Sequence, residues 1–316
     1  MEQIRLGRTN VQVSVVGLGC GGHSRLGMAG GASAREAARV VRRAVELGIT
    51  LIDTAMVYET EEAVGLGIEG SRDGLVLSTK TLLQRSLDRP DDLISADELV
   101  ENLDGSLRRL GTDYVDLYHL HALTTAQIDH AVDVLLPELE RQRELGKVRF
   151  LGVTEMFGED TGHEMLRRVL PADHFDVVMI GFNVLNPSAR KTVFPLTMAR
   201  DVGTLIMFAV RRALSIPERA REVVGELAAR SGVGTDALDA DDPLAFLREA
   251  PGVGSVVEAA YRFARHEPGA HVVLTGTGDP AHLEENVRSI QAPPLPPDVL
   301  ARLEEMFGEV DSVSGN

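Results

Sequence analysis

The chain has 316 residues, of which 44% are hydrophobic and 25% are charged, a composition typical of a folded globular protein and not of a disordered or fibrous one. Acidic residues outnumber basic ones by 48 to 32, and the resulting net charge of −16 argues against a nucleic acid or an anionic membrane as partner. The single cysteine, Cys20, excludes an intramolecular disulfide and fits a reducing compartment. Neither a signal-peptide pattern in Met1 to Asn10 nor an apolar run long enough to span a bilayer is present, so we expect a cytoplasmic protein.

Short apolar runs rich in β-branched residues alternate with longer segments of helical periodicity. In chain order, the predicted strands are Val13–Leu18, Thr50–Asp53, Leu75–Lys80, Tyr114–His121, Val148–Val153, Asp176–Phe182, Thr204–Phe208 and His271–Leu274. The helical patterns between them include Ala34–Leu47, Ala96–Leu110, Gln127–Leu145 and Ala220–Ala229. Strands that are apolar throughout are buried on both faces, as in a parallel sheet, and their alternation with helices indicates βαβ units.

This rhythm predicts an α/β protein with a closed (β/α)8 TIM barrel that forms one domain over residues 1–316. The segment Ile4 to Gln12 is expected to form a short N-terminal hairpin that closes the bottom of the barrel. More than 60 residues separate strands 7 and 8, so we expect extra helices there and an active-site loop around Gly232–Pro243. An open doubly wound sheet is the alternative, but the glycine-rich turn Gly17–Gly22 lies too far from the helix that begins near Ser33 to form a dinucleotide-binding turn.

Titratable side chains end three neighbouring strands of the predicted barrel. Asp53 ends the second apolar run, Lys80 the third and His121 the fourth, while Tyr58 follows Asp53 by five residues. In such barrels the chemistry takes place at the C-terminal ends of the strands. We therefore expect these four side chains to converge.

The four side chains suit a proton transfer to oxygen. A phenol has a pKa near 10, and a lysine cation beside it favours the phenolate, with a carboxylate holding the lysine in place. A shift of two to three units needs about 3–4 kcal/mol, which a close charge pair can supply. An imidazole N–H could polarise a carbonyl oxygen. Because side chains cannot donate hydride, this arrangement predicts a nicotinamide cofactor.

The chain resembles the aldo-keto reductases in stretches that follow one another along its whole length. These stretches are Arg5–Asn10, Asp53–Tyr58, Ser78–Lys80, Leu110–His121, Gly146–Thr154 and Gly276–Asn286. The resemblance implies a catalytic tetrad of Asp53, Tyr58, Lys80 and His121, with Tyr58 as general acid and base. It also implies NAD(P)H bound extended across the barrel mouth and a small carbonyl or sugar substrate. Within the family, the chain looks most like the aldose or galactose dehydrogenases.

The same resemblance implies the residues that bind the cofactor, several of which depart from the family's pattern. Where the family often has Ser-Asn and Gln to clamp the nicotinamide amide, this chain has Thr154, Glu155 and Met179. Phe208 stands near the position of an aromatic residue that stacks on the nicotinamide ring. The other implied contacts are Gly21, Gly22, Arg211, Gly276, Thr277, Gly278, His282, Glu285 and Asn286.

Two further departures concern the ends of the cofactor site. Gly276 and His282 replace the Lys and Arg that bind the 2′-phosphate in NADP-preferring members. Arg211, Arg212 or His282 could compensate for this loss. The cofactor preference is therefore expected to lean toward NAD or toward use of both dinucleotides. The family's Tyr-Gly-x-Ser-Glu is Tyr58-Glu-Thr-Glu-Glu62 here, which changes the rim beside the phenol.

Other interpretations remain open from the sequence. Potassium-channel β subunits share this fold and retain cofactor, so the chain could be a cofactor-binding regulatory or interaction module. A barrel aldolase could use Lys80 as its Schiff-base nucleophile. His119 and His121 are spaced to face the same side of a strand, but no third ligand lies nearby, so no metal is expected. The oligomeric state, the reaction direction and the individual substrate stay undetermined.

Overall fold

The fold is a parallel barrel preceded by a small antiparallel hairpin. The structure, a computed structural model, describes residues 1–86, 88–229, 239 and 241–316. Within these residues, the hairpin consists of β1 (Gln3–Arg5) and β2 (Gln12–Ser14). The barrel strands are β3 (Val16–Gly19), β4 (Leu51–Asp53), β5 (Val76–Leu82), β6 (Val115–Leu123), β7 (Val148–Glu155), β8 (Val177–Gly181), β9 (Gly203–Met207) and β10 (Val272–Thr275). Each barrel strand pairs parallel with its neighbours, and β10 pairs with β3 to close the barrel, which confirms the predicted fold.

The first barrel strand starts later than the sequence predicts. Val13 belongs to the hairpin, where it pairs with Ile4, and the barrel strand begins at Val16. The chain changes direction between the two strands because Ser14 makes local bonds: its N–H donates to the Thr50 hydroxyl at 2.8 Å and its hydroxyl donates to the Val16 carbonyl at 2.6 Å. One apolar run in the sequence therefore covers two strands.

Helices follow the strands around the outside of the barrel. Their α-helical bounds are Ala34–Glu46, Glu61–Ile68, Ala96–Leu110, Ile128–His130, Leu136–Glu144, Glu164–Val169, Ala189–Thr192, Phe194–Ala199, Arg212–Ser215, Pro217–Ala229, Ala245–Glu249, Val256–Arg265, Pro280–Gln291 and Pro297–Phe307. A π-helical turn, Ala131–Leu135, interrupts the predicted helix Gln127–Leu145. Ser33 and Ser95 each form a reciprocal capping box, which fixes the starts of two long helices.

The connection from β9 to β10 carries the predicted extra helices. Four of those named above, from Arg212–Ser215 to Val256–Arg265, occupy this connection. The predicted active-site loop around Gly232–Pro243 lies largely outside the described residues. No helix in the described parts of the chain is both long and apolar enough to cross a membrane.

The hairpin seals one end of the barrel. Leu6 and Val13 are buried in the same apolar cluster as Leu51, Leu117 and other inward-facing strand residues. The turn fits tightly, because Gly7 has a φ of +50° and a Cβ there would overlap the backbone of Asp201 to Gly203. With the N-terminal ends of the strands closed in this way, the accessible mouth is at their C-terminal ends.

Candidate active site

A buried ion pair joins the ends of β4 and β5. The Nζ atom of Lys80 donates to Oδ2 of Asp53 at 2.6 Å and to the Thr54 carbonyl at 2.7 Å. The Ser78 hydroxyl donates to Oδ1 of Asp53 at 2.7 Å. Lys80 is completely buried and Asp53 nearly so. The ammonium is thus fixed in place, and two of its three N–H groups are bonded.

Tyr58 lies over this pair and reaches the end of β6. It ends the short helical turn Met56–Tyr58, and its ring centroid lies 5.0 Å from Nζ of Lys80. The phenol oxygen is 3.2 Å from Nε2 of His121, and the two rings meet edge to face with centroids 5.4 Å apart. The structure therefore brings together Asp53, Tyr58, Lys80 and His121, as the strand-end pattern predicts.

Burial dominates the acid–base properties of these groups. It raises the pKa of Tyr58; the Lys80 ammonium lowers it, but the Asp53 carboxylate raises it again, and the net direction is upward. The expected lowering by Lys80 is therefore outweighed, chiefly by burial of the phenol and further by the Asp53 charge. Burial and the Lys80 charge lower the pKa of His121 to about 3, so its imidazole is neutral.

Lys80 remains protonated in this setting. Burial alone would lower the pKa of its amine, but the Asp53 charge, the proximity of Tyr58 and the Asp53 hydrogen bond together raise it above its ordinary value. His119 lies one inward-facing position below His121 and is also completely buried, which lowers its pKa well below the usual range. Among the described residues, no group of three or more His, Cys, Asp or Glu side chains could hold a metal ion.

A cleft of about 940 Å³ opens beside Tyr58 at the mouth of the barrel. Its size is at the upper end of the range for ligand pockets. The predicted cofactor residues that line it are Gly21, Gly22, Thr154, Glu155, Met179, Phe208, Arg211, Gly276, Thr277, His282, Glu285 and Asn286. Gly278 does not line the cleft: its α-carbon packs against the first loop, where a Cβ would lie 2.5 Å from the Gly27 nitrogen.

Glycines on two loops let the backbone form the floor of the cleft. A Cβ on Gly276 would lie 2.6 Å from the Gly19 carbonyl oxygen, and one on Gly21 would lie 2.6 Å from the Tyr58 ring. Only glycine fits at these two positions without a shift of the neighbouring chain. These glycines therefore allow the two loops and the Tyr58 ring to pack closely beside the cleft.

Arg211 supplies an uncommitted positive charge to the cleft wall. Its guanidinium carbon lies 4.0 Å from the centroid of the Phe208 ring. The buried Nε atom has no hydrogen-bond partner among the described residues, and burial lowers the pKa of the side chain. A cation stacked on an aromatic ring, with no counter-ion in the part of the chain that the structure describes, suits a phosphate ligand.

Glu155 has a partner, His163, that the sequence does not predict. Its carboxylate accepts from Nδ1 of the buried His163 at 2.8 Å and from the Gly181 N–H at 2.7 Å. Burial raises the pKa of Glu155, and the interactions with His163 and Gly181 oppose this only in part. No sequence signal identifies His163, because it lies eight residues further on in a loop whose path is set by tertiary packing.

The far end of the cleft is polar but carries little positive charge. The Asn286 amide and the Tyr261 hydroxyl both bond the Thr275 hydroxyl at 2.9 Å. The His282 side chain is 66% exposed, with Nδ1 3.7 Å from an Asp279 oxygen. The Glu285 carboxylate also lines this end. Tyr261 was not predicted, because it lies on one of the helices inserted between β9 and β10.

The rim beside the phenol keeps a left-handed backbone conformation at Glu59. Glu59, which stands where the family has Gly, adopts a left-handed conformation with φ of +60°. Its carboxylate pairs with Arg25 across the rim at 3.2 Å. The backbone conformation that favours Gly is thus retained, while the side chain links two loops.

Comparisons with known proteins match the chain to one family and one fold. Residues 17–307 match the model of the Aldo/keto reductase family. The chain is 29% identical over 304 residues to "Aldo-keto reductase YhdN" of Bacillus subtilis (strain 168), covering 90% of this chain and 87% of that protein. It is 30% identical over 213 residues to "L-galactose dehydrogenase" of Arabidopsis thaliana, covering 65% and 64% of the two chains. Among solved structures, the holo form of aldo-keto reductase AKR11C1 from Bacillus halodurans superposes with a TM-score of 0.73 at 24% identity, covering 99% of this chain and 98% of that one.

Proposed function

Because the chain belongs to the aldo/keto reductase family, we propose that it is an NAD(P)-dependent oxidoreductase that transfers hydride between nicotinamide and a carbonyl or hydroxyl carbon of a small molecule. The observation that carries this proposal is the contact of the Tyr58 phenol with His121, above the buried Lys80–Asp53 pair. The bound nicotinamide supplies the hydride, which side chains cannot provide.

Tyr58 is the proposed general acid and base. Because its pKa is raised, the phenol holds its proton at neutral pH. In the reductive direction, the O–H bond of Tyr58 breaks and its proton joins the substrate oxygen as the carbonyl carbon gains hydride. In the oxidative direction, the phenolate takes the proton from the substrate hydroxyl.

Lys80 stabilises the phenolate that the transfer leaves. Its cation lies 5.0 Å from the centre of the Tyr58 ring, in a site sheltered from solvent. Asp53 keeps the lysine protonated and holds it in place through the 2.6 Å hydrogen bond. The pair therefore offers a fixed positive charge at the point where negative charge develops.

His121 orients the phenol as a neutral imidazole. With a pKa of about 3 it carries no charge at physiological pH. Its Nδ1 atom has no partner among the described residues, which favours the tautomer with the proton on Nε2, 3.2 Å from the phenol oxygen. In this tautomer, His121 donates to Tyr58 and leaves the phenol proton free for the substrate.

The cleft residues fit an extended dinucleotide. Phe208 would stack on the nicotinamide ring, with Thr154, Glu155 and Met179 at the strand ends around its amide. Gly21, Gly22, Gly276 and Thr277 would admit the phosphates close to the backbone, and Arg211 would pair with them. Glu285, Asn286 and His282 would surround the adenosine end, whereas Gly278 supports the loop from behind.

We propose that NAD is used at least as well as NADP. The Glu285 carboxylate lines the cleft near His282 and Asn286, whereas the arginines among its described lining residues, Arg211 and Arg212, come shortly after β9 in the chain. His282 pairs weakly with Asp279 and is largely exposed. A 2′-phosphate would therefore gain little there, whereas a ribose hydroxyl could donate to Glu285.

The proposed substrate is an aldehyde, a ketone or a sugar. The relative named "L-galactose dehydrogenase" supports the sugar branch of this proposal. The aldolase alternative has less support, because Lys80 is buried, protonated and bonded to Asp53, so no neutral amine is available for a Schiff base.

Titration with NADH and NADPH, followed by cofactor fluorescence, tests the cofactor proposal. We expect saturable binding, with NADH bound at least as tightly as NADPH. A panel of aldehydes, ketones and sugars, assayed in both directions by cofactor absorbance, then tests the activity. Tight cofactor binding without turnover on any member of the panel would favour the regulatory module instead.

A further inference from the structure

The Glu155–His163 pair borders the cleft but takes no part in the proton transfer proposed above. Glu155 is the last residue of β7 and is only 3% exposed, at the cleft wall. His163 Nδ1 lies 2.8 Å from Oε2 and 3.1 Å from Oε1 of this carboxylate. The Gly181 N–H donates to Oε1 at 2.7 Å. Two donors thus hold a buried carboxylate in one orientation.

His163 is buried in a backbone conformation that is unfavourable for its residue type. It is completely buried and has φ of +62°, a conformation that favours Gly, Asn or Asp over His. Its ring stacks on Phe157 with centroids 5.3 Å apart and 19° between the planes. The ring centroid of Phe157 in turn lies 6.1 Å from that of Phe208. The histidine is therefore part of the rigid wall behind Phe208.

The carboxylate has acceptor capacity left for a ligand. A carboxylate offers about four acceptor positions, and His163 and Gly181 are its hydrogen-bond donors among the described residues. Asp160 is a further acidic group near it, and its oxygens are bonded to the N–H groups of Glu164 and Met165. An N–H donor in the cleft could thus bond Glu155 without displacing a protein contact.

We propose that His163 is a positioning residue: it holds Glu155 so that the carboxylate accepts an N–H from a primary amide bound in the cleft. This inference rests on the proposed function, since the amide in question is the carboxamide of nicotinamide. Met179, which also borders this part of the cleft, offers no N–H or O–H donor and only a weak acceptor. The discrimination for an amide N–H therefore depends on Glu155 and, through it, on His163.

The test compares NAD⁺ with 3-acetylpyridine adenine dinucleotide, which has a methyl ketone in place of the amide and so has no N–H to donate. Calorimetry gives the dissociation constants of both for the whole protein and its variants. We expect the protein to bind NAD⁺ at least about tenfold more tightly, since a hydrogen bond to a charged acceptor is worth that much or more. In Glu155→Gln, a near-isosteric change that replaces the charged acceptor with a neutral amide, the ratio should fall several-fold, because a hydrogen bond to a neutral acceptor is weaker.

The histidine variants separate positioning from packing. In Asn the amide nitrogen is attached to Cγ, as Nδ1 is in His, and Asn tolerates a positive φ. His163→Asn should therefore keep most of the discrimination, whereas His163→Ala should lose it. Thermal melting identifies any His163 variant that fails to fold. In that case, the binding ratio of Glu155→Gln tests the inference.

Either of two results would overturn the role of Glu155 and leave the proposed function standing: equal binding of both dinucleotides by the unaltered protein, or an unchanged ratio in Glu155→Gln. Equal weakening of both dinucleotides in His163→Ala and in His163→Asn would assign His163 a packing role only, and would also overturn the inference. If the unaltered protein bound neither dinucleotide, the proposed function itself would fall, and this inference with it.

Discussion

The ammonium of Lys80 and the carboxylate of Asp53 form a 2.6 Å hydrogen bond in the interior of the barrel mouth. The pair does not make Tyr58 a strong acid, because burial of the phenol outweighs the Lys80 charge and the Asp53 carboxylate opposes that charge. Its value lies in placing a protonated amine where the phenolate forms. The pair also makes the site vulnerable, because removing one partner leaves a buried charge uncompensated.

Asp53→Asn should therefore lower both stability and activity. We expect the free energy of unfolding to fall by about 3–5 kcal/mol, because the Lys80 charge loses its partner in a buried site. The double variant Asp53→Asn/Lys80→Met, which removes the charge as well, should recover much of that loss without recovering turnover. Urea unfolding measures the first effect, and a double variant less stable than Asp53→Asn would contradict the explanation.

The pH dependence of the rate should reflect Tyr58 and not His121. The phenol carries its proton below its raised pKa, so reductive kcat/KM should stay level from about pH 6 to about pH 9 and fall only in more alkaline solution. The oxidative rate should rise with pH over the same range, since it needs the phenolate. A reductive rate that changed sharply near pH 6.5 would show that an imidazole titrates, contrary to the burial of His121.

Acid should destabilise the fold through its buried histidines. The pKa of His121 is about 3 in the fold and 6.5 ordinarily, and that of His119 is also well lowered. Below pH 6.5 the unfolded chain binds protons that the native chain does not, so stability falls as pH falls, by about 1.4 kcal/mol per pH unit for each histidine. His121→Phe removes one of these histidines, so the slope measured by unfolding between pH 4 and pH 6 should fall by about 1.4 kcal/mol per pH unit. An unchanged slope would contradict the prediction.

The same substitution at two glycines should have opposite effects. A methyl group on Gly152 of β7 would overlap the buried ring of His119, so Gly152→Ala should destabilise the protein by at least about 2 kcal/mol. Gly225 lies in the helix Pro217–Ala229 with open space around it, and Gly225→Ala should stabilise by about 0.5–1 kcal/mol. Thermal unfolding of the two variants checks both signs.

Much of this architecture could be predicted from the sequence. The apolar runs that end in Asp53, Lys80 and His121 are local patterns, and the parallel register brings their ends together. Val13 shows a limit, because an apolar run gives no sign of the turn that Ser14 makes between two strands. The π-helical turn at Ala131–Leu135 is another limit, because the helical periodicity of this segment gives no sign of it.

The candidate site shows where local patterns stop being informative. His163 is recognisable only by its distance from Glu155, which the chain path between them determines. The direction of the Tyr58 pKa depends on how burial and the charges of Lys80 and Asp53 balance, and residue identities alone do not give that balance. The resemblance implies that Gly278 contacts the cofactor together with Gly276, but the loop turns the α-carbon of Gly278 toward Gly27.

The most direct test of the account is the turnover of Tyr58→Phe with a substrate identified from the panel, alongside its affinity for the dinucleotide. Phe keeps the ring that packs over Gly21 and loses only the hydroxyl that contacts His121. We predict that kcat falls by about 10²–10⁴-fold while the dissociation constant of the dinucleotide changes little. A variant that retained turnover within about tenfold of the unaltered protein would contradict the acid–base role of Tyr58.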